Sequence, residues 1–155
     1  QHVLLTLVND GVFASTTAPL GPAPPRWTYA LSPHRVSSTD QLLRHKTTWR
    51  DFYDGEQARL AQAAGSDEAL FRNDRGELTE GSRSSLFLRR DGKLLTPPLT
   101  SGLLDGVLRR ELLETGQCEE AILTPDDLAS GEVLLGNSLR GLIRAEPASA
   151  ARAVG

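Results

Sequence analysis

Apolar and polar positions change rhythm along this chain, and each change marks a different kind of element. From His2 to Val8 the residues are mostly leucine, valine and threonine, and they meet Val12 to Ser15 across Asn9-Asp10-Gly11, a hairpin pattern. Ala18 to Arg26 holds four prolines and reads as a connector, since proline can enter neither a helix interior nor a central strand. Trp27 to Leu31 follows as a short strand. Ser37, Ser38, Thr39 and Asp40 offer cap or turn chemistry ahead of a helix whose apolar Trp49, Phe52, Tyr53, Leu60 and Ala64 recur near a period of 3.6, with Gly65 as its stop. Beyond Gly65 the pattern becomes that of an antiparallel meander: Ala69 to Phe71, a turn at Asn73-Asp74-Arg75-Gly76, Glu77 to Arg89, a turn at Asp91-Gly92, and Lys93 to Thr96. Pro97-Pro98 ends it. Val107 to Leu113 is a second helix ending at Gly116, Glu120 to Leu123 and Val133 to Leu135 are strands, and Thr124-Pro125 opens a short helix between them. Ala148 to Gly155 is a small-residue tail.

The 155 residues are enough for one ordinary domain. No apolar run approaches the roughly 20 residues needed to cross a bilayer, so no membrane partner is expected. Seventeen Lys and Arg against 20 Asp and Glu give a net charge of −3 without a basic block, which argues against nucleic acid. The lone Cys118 can form neither an internal disulfide nor a zinc site, so no metal is expected and a reducing cytoplasm is the default setting. Residue 1 is glutamine and the chain holds no methionine, from which we expect residues upstream. Only Lys46 and Lys93 stand against fifteen arginines, so each lysine merits inspection.

Lys46, flanked by His45 and two threonines, is read as lying at a helix entrance in a partly apolar segment. A lysine amine becomes a nucleophile toward carbonyls when desolvation or a neighbouring cation lowers its pKa. Lys93, in Asp91-Gly92-Lys93, is a turn tip and reads as a solvated charge. Glu80 lies in Leu78-Thr79-Glu80-Gly81, within strand-like sequence, whereas Glu77 reads as a surface carboxylate. Leu104-Asp105-Gly106-Val107-Leu108-Arg109 places a glycine at a helix start, where free backbone N–H groups and the helix dipole can hold an anion.

The order and spacing of four pieces, His45-Lys46-Thr47-Thr48, Glu80-Gly81-Ser82-Arg83-Ser84-Ser85-Leu86-Phe87, Leu94-Leu95-Thr96-Pro97-Pro98 and Leu104-Asp105-Gly106-Val107-Leu108-Arg109, resembles the class IV pyridoxal-phosphate enzymes. These include branched-chain and D-amino-acid aminotransferases and 4-amino-4-deoxychorismate lyases. The late Gly136-Asn137-Ser138-Leu139-Arg140-Gly141 and the element around Lys46 look most like the lyase branch. The resemblance runs from about Leu42 to Ala145. It implies an α+β chain forming the large C-terminal domain of fold type IV, the D-amino-acid aminotransferase-like fold: a mostly antiparallel β pseudo-barrel with flanking helices, the small N-terminal domain being absent. Residues 1–35 would then be the end of an interdomain region, 36–146 the cofactor domain and 147–155 a frayed tail.

The resemblance also assigns roles. Lys46 would hold pyridoxal 5'-phosphate as a Schiff base and shuttle a proton; Glu80 would face the pyridine nitrogen and keep the ring an electron sink. Gly106, Val107, Leu108, Asn137 and Ser138 would cradle the phosphate. Arg50, Arg83 and Arg140 are candidates for substrate carboxylates, with Arg140 preferred, because regular strand alternation would set Arg83 on the face opposite Glu80. The chain departs from the family pattern at Ser85, usually asparagine, and at Asp105, usually proline. An inward Asp105 would repel a phosphate and compete for its amides; the sequence leaves its direction open. The implied reaction converts aminodeoxychorismate, an amino substrate with two carboxylates, to 4-aminobenzoate and pyruvate on the folate route. The alternatives are a branched-chain or D-amino-acid aminotransferase and a degenerate homologue that has lost its cofactor. A homodimer is implied, as is fusion to or partnership with aminodeoxychorismate synthase.

Overall fold

The computed structural model describes residues 2–8 and 10–149. Asn9 of the first turn and residues 150–155 of the tail lie outside them. Strands β1 (His2–Leu7) and β2 (Phe13–Ala18) pair antiparallel from His2↔Ala18 to Leu7↔Phe13 as a separate two-stranded sheet. The proline-rich connector then leads into β3 (Trp27–Val36), which is twice the length expected and passes through Pro33. Its register with the neighbouring strand shifts between Leu31 and Arg35, which accommodates a residue that cannot donate to the ladder.

The remaining strands are β4 (Glu68–Asn73), β5 (Leu78–Gly81), β6 (Ser85–Arg90), β7 (Lys93–Thr96), β8 (Glu119–Glu120), β9 (Glu132–Asn137) and β10 (Gly141–Pro147). Their order is β5-β4-β3-β10-β9-β6-β7-β8, and a further pairing of β5 with β6 closes six of them into a barrel. The expected pseudo-barrel is therefore present, and the meander from β4 to β7 is antiparallel throughout. Three pairings are parallel, β3 with β4, β3 with β10 and β7 with β8. The first needs a crossover, which α1 (Asp51–Ala64) supplies, stopped by Gly65 at φ +67° as its sequence position predicts. The main sheet thus takes in Trp27–Val36, ahead of position 36.

Three segments differ from the sequence reading. Glu77 to Arg89, read as one strand, is two, because Gly81-Ser82-Arg83-Ser84 turns, with the Gly81 N–H donating to the Ser84 carbonyl at 2.8 Å. Of Glu120 to Leu123 only Glu120 lies in a strand, the two-residue β8 paired with β7. Gly141–Pro147, not read as a strand, is β10 and lies between β9 and β3.

Alternation within the strands builds the core. Leu70, Leu78, Leu86, Leu88, Val133 and Leu135 cluster with Tyr29 in one core. Their strand neighbours form two others: Ala69 and Phe71 pack with Leu60 and Tyr53 of α1, and Phe87 and Leu134 pack with Leu112 of α2 (Val107–Glu114). Strands covered on both faces read as continuous apolar runs, which is why Ala69–Phe71 and Leu86–Leu88 show no polar alternation.

A polar brace ties the segment ahead of α1 to the segment ahead of α2. Arg75 donates to both Glu77 oxygens, at 3.0 and 2.8 Å, to the Thr100 carbonyl at 2.8 Å and to the Ser38 hydroxyl at 2.5 Å. Glu77 also accepts from Asn73 Nδ2 at 2.9 Å and from the Ser101 hydroxyl at 2.8 Å. Its reading as a surface carboxylate is corrected: this network holds it down at about 2, Arg75 contributing most. A depressed carboxylate stabilises the fold above its ordinary value of 4.5, and that stability is lost as pH falls toward about 2. Glu77→Gln is accordingly expected to lower stability at pH 7 by about 1–3 kcal/mol, with the gap to the parent narrowing toward pH 2–3. Urea unfolding at the two pH values checks this; equal midpoints at pH 7 would contradict the brace.

Candidate active site

Helix α1 begins where a loop rich in Thr, Trp and Arg gives way to Asp51, and its first turn places Arg50 and Tyr53 three residues apart, on one face. That face meets the end of β5. The Tyr53 hydroxyl donates to Glu80 Oε1 at 3.2 Å, and the Arg50 guanidinium lies 5.8 Å from the Tyr53 ring centroid while donating to the Ser82 carbonyl. Glu80 Oε2 accepts the Leu104 N–H at 3.1 Å, so one carboxyl group joins α1 to the loop ahead of α2. Burial pushes Glu80 up to about 7 against the opposing pull of these donors. Burial, followed by the Glu80 charge, raises the Tyr53 phenol above its ordinary range.

A cavity of about 730 Å³ opens over this junction. Lys46, Glu80, Gly106, Val107, Leu108, Asn137 and Ser138 all line it, as do Arg50 and Arg83. Nine of the ten candidates, drawn from stretches far apart in sequence, thus converge. Lys46 reaches the cavity from an exposed irregular loop between the 3-10 turn Gln41–Arg44 and α1, not from a helix start as the sequence reading had it. The residues before it cannot propagate a helix, because the turn ends at His45 in extended conformation.

Arg140 is not among the lining residues. It lies on the turn after β9, and its guanidinium donates to the Gly21 carbonyl of the connector at 2.6 Å. Of the arginines singled out for substrate carboxylates, Arg50 and Arg83 thus line the cavity and Arg140, the one preferred on sequence, does not. Arg83 sits in the β5–β6 turn, where strand alternation does not apply; its side chain donates to the Asp67 carbonyl at 2.8 Å. Asn137 is spent on local structure: its Nδ2 donates to the Arg83 carbonyl at 3.1 Å and its Oδ1 accepts from the Leu139 and Arg140 N–H groups.

At the start of α2, Gly106 is the N-cap, and no side chain among the described residues caps the helix. The open question over Asp105 is answered by its partners. Its carboxylate pairs with Arg109 at 3.1 Å and Arg110 at 3.0 Å, so it is neutralised by its own helix and takes none of the N-terminal amides. A Cβ on Gly106 would stand 3.0 Å from Ser85 Oγ, tighter than ordinary contact. Bare amides, a helix dipole and small neighbours suit a phosphate dianion, and the half-buried Glu80 at the cavity wall suits a protonated ring nitrogen. The residues present fit pyridoxal phosphate.

Sequence reasoning missed Tyr53 as a polar group, taking it for a core position; a buried tyrosine needs a hydroxyl partner, and that was the available signal. It also missed Glu68, fully buried beneath the β5–β6 turn, whose oxygens accept from the Ser82 hydroxyl and from the Ser84 hydroxyl at 2.7 Å. Burial raises its pKa against those bonds. No local pattern marks it. Among the described residues no cluster of three metal-ligating side chains occurs and no helix is long and apolar enough to cross a membrane.

Comparison with known proteins shows the family of the chain. Residues 8–146 match the family profile of class IV amino-transferases, and the chain belongs to that family. Its members are pyridoxal-phosphate-dependent, and one solved relative, a Thermobaculum terrenum branched-chain aminotransferase, is described in its PLP form. The aminodeoxychorismate lyase of Saccharomyces cerevisiae is 36% identical over 161 aligned positions, covering 92% of this chain and 41% of the yeast protein. The chain thus spans about two fifths of the length of that relative. A Mesorhizobium loti structure provisionally assigned as an amino-acid aminotransferase matches with TM-score 0.87 and 41% identity, over 94% of this chain and 72% of that one. The Escherichia coli branched-chain aminotransferase, at TM-score 0.71 and 21% identity over 87% of this chain and 46% of its own, shares the fold.

Glu80 generates a prediction with an unusual sign. A carboxyl raised from 4.5 to about 7 holds its proton in the folded state after the unfolded chain has released it, so stability falls as pH rises between those values. Glu80→Gln is expected to remove that loss and stabilise the chain without cofactor by on the order of 2 kcal/mol at pH 8, with little change at pH 4. Thermal melts at both pH values measure it, with Glu114→Gln, at an exposed helix end, as the control. A destabilised Glu80→Gln at pH 8 would contradict the burial argument.

Proposed function

We propose that this chain carries the cofactor site of a pyridoxal-phosphate lyase that converts 4-amino-4-deoxychorismate to 4-aminobenzoate and pyruvate. The observation that carries this reading is the convergence of Lys46, Glu80 and the uncapped start of α2 on one cavity that also holds Arg50. When bound, the cofactor supplies a sink for the electron pair left on the carbon that bears the substrate amine. Lys46 anchors the cofactor through its amine and, once freed, takes the proton from that carbon and returns one to the departing enolpyruvyl group. Glu80 holds the ring nitrogen in its proton-bearing form. The amides of Gly106, Val107 and Leu108 hold the phosphate, Ser138 lies beside them, and Asn137 positions the turn below. Arg50 meets a substrate carboxylate, with Arg83 at the cavity edge.

The lyase is preferred to a transaminase because the alignment with the yeast lyase takes in nearly the whole chain and because an arginine beside the lysine suits a doubly carboxylated substrate. Amino-group transfer is the second reading. It rests on 44% identity over 45 residues to a Thermotoga maritima protein provisionally assigned as a branched-chain aminotransferase. The lyase reading carries with it a cytoplasmic homodimer, fused to or partnered with aminodeoxychorismate synthase. Its domain reading keeps residues 36–146 as the cofactor-binding part.

Two experiments test the reading. Borohydride reduction in the presence of pyridoxal phosphate, followed by peptide mapping, is expected to place the label on Lys46; label on Lys93 alone, or on neither lysine at saturation, would overturn the assignment. The protein with its full natural sequence is expected to release pyruvate and 4-aminobenzoate from aminodeoxychorismate without added keto acid. In that assay Arg50→Ala should lose roughly tenfold to hundredfold in kcat/KM, the cost of a lost charge-assisted contact, and Arg140→Ala far less. Brisk transamination of leucine or D-alanine with no 4-aminobenzoate formed would overturn the lyase reading while leaving the cofactor assignment standing.

A further inference from the structure

The cavity contains a side chain to which the proposed reaction gives no task. Tyr53 packs its ring on Phe71, with centroids 4.7 Å apart, and on Phe52 at 5.6 Å, which fixes the ring; its hydroxyl has one assigned partner, Glu80 Oε1. The Leu104 N–H occupies the other oxygen, so the two donors fix the carboxyl plane between them. Arg50, over the Tyr53 ring and donating to the Ser82 carbonyl, ties the start of α1 to the strand that carries Glu80.

We propose that Tyr53 is a positioning residue for the cofactor: its hydroxyl holds the Glu80 carboxylate ionised and oriented to receive the proton-bearing ring nitrogen. This rests on the reading that Glu80 faces that nitrogen. Desolvation favours the protonated form of this carboxyl and the two donors oppose it, and a neutral acid cannot stabilise a cationic ring. The charged and titratable groups around Glu80 come from several elements. Arg50 on α1 favours its ionised form, whereas Glu68 on β4 opposes it. Arg35 on β3, Lys46, His45 and Asp40 from the segment ahead of α1, Asp51 at its start, Arg83 from the β5–β6 turn and Asp105 ahead of α2 line the same cavity. None of these is hydrogen-bonded to Glu80 among the described residues, so the direct donors are the fixed Leu104 amide and the one replaceable group, the Tyr53 hydroxyl.

Tyr53→Phe keeps the ring and removes the bond. Carbon-13 NMR of glutamate-labelled chain, with the Glu80 carboxyl assigned by Glu80→Gln, reads the titration without cofactor. The midpoint is expected near 7 in the parent and about one unit higher in Tyr53→Phe. Pyridoxal-phosphate affinity should fall about tenfold at pH 7 and recover toward the parent by pH 9, where Glu80 is ionised in both. A purely structural role would weaken affinity equally at both pH values, and that outcome, or an unmoved midpoint, would overturn the proposal. Replacing both tyrosines by 3-fluorotyrosine, whose hydroxyl is a stronger donor in nearly the same shape, tests the opposite sign: the midpoint should move down, and one that stays fixed would also overturn it. The midpoint is read on the chain alone, so failure of the cofactor reading and failure of the Tyr53 role give different results.

Discussion

The closure of the barrel rests on a single short pairing, Glu80 opposite Ser85, where β5 turns back as β6. The candidate site is arranged around that joint. Closure there forces a tight turn of small residues, and Gly81 has no room for a side chain: a Cβ would stand 2.4 Å from Ser84 Oγ and 3.0 Å from Glu68 Cγ. Beneath the turn Glu68 accepts from Ser82 and Ser84, holding it by buried hydrogen bonds. Beside it Ser85 stands where Gly106 must approach, which brings the start of α2 against the same joint. The carboxyl group at the closing position is thus desolvated by the structure that closes the barrel, and its raised titration follows from that.

The two helices serve the joint from opposite sides. α1 rests on Phe71 and Ala69, and α2 on Phe87 and Leu134, each using the outward residues of strands whose inward residues fill the main core. Packing of this kind fixes helix starts within fractions of an ångström. It delivers Tyr53 and the Leu104 segment to the two oxygens of one carboxyl. The Arg75–Glu77 brace then holds the loops ahead of the two helices at a common distance from the strands.

Much of this was legible in the sequence, and the remainder shows where local reading stops. Lys46, Glu80 and the glycine before α2 could be singled out because each sits in a short stretch with its own chemistry, and their order resembled a known family. The helix stop at Gly65 follows from glycine chemistry, and the turn at Asp91-Gly92 from an aspartate and a glycine both at positive φ. Pairing between Tyr53 and Glu80 spans 27 residues and exists only once the barrel has closed. Glu68 could not be found, since nothing in its neighbourhood separates a buried acid from a surface one. Arg140, on a turn, reaches back 119 residues to the connector, whereas Arg50, at a helix start, lines the cavity, and no local pattern separates the two. Asp105 was undecidable from sequence because a carboxylate at a helix start can cap the amides or pair with the next turn; Arg109 and Arg110 settle it as the latter.

The central claim is that the start of α2 and the β5–β6 joint together receive pyridoxal phosphate. An amide NMR titration of the nitrogen-15-labelled chain with millimolar pyridoxal phosphate tests it directly. The account predicts that the amides of Gly106, Val107 and Leu108 shift most, with Glu80, Ser138 and the loop around Lys46 following, and that Lys46→Ala weakens the response without moving it elsewhere. A titration that leaves the start of α2 unshifted at saturation, or shifts chiefly the turn around Lys93, would contradict it.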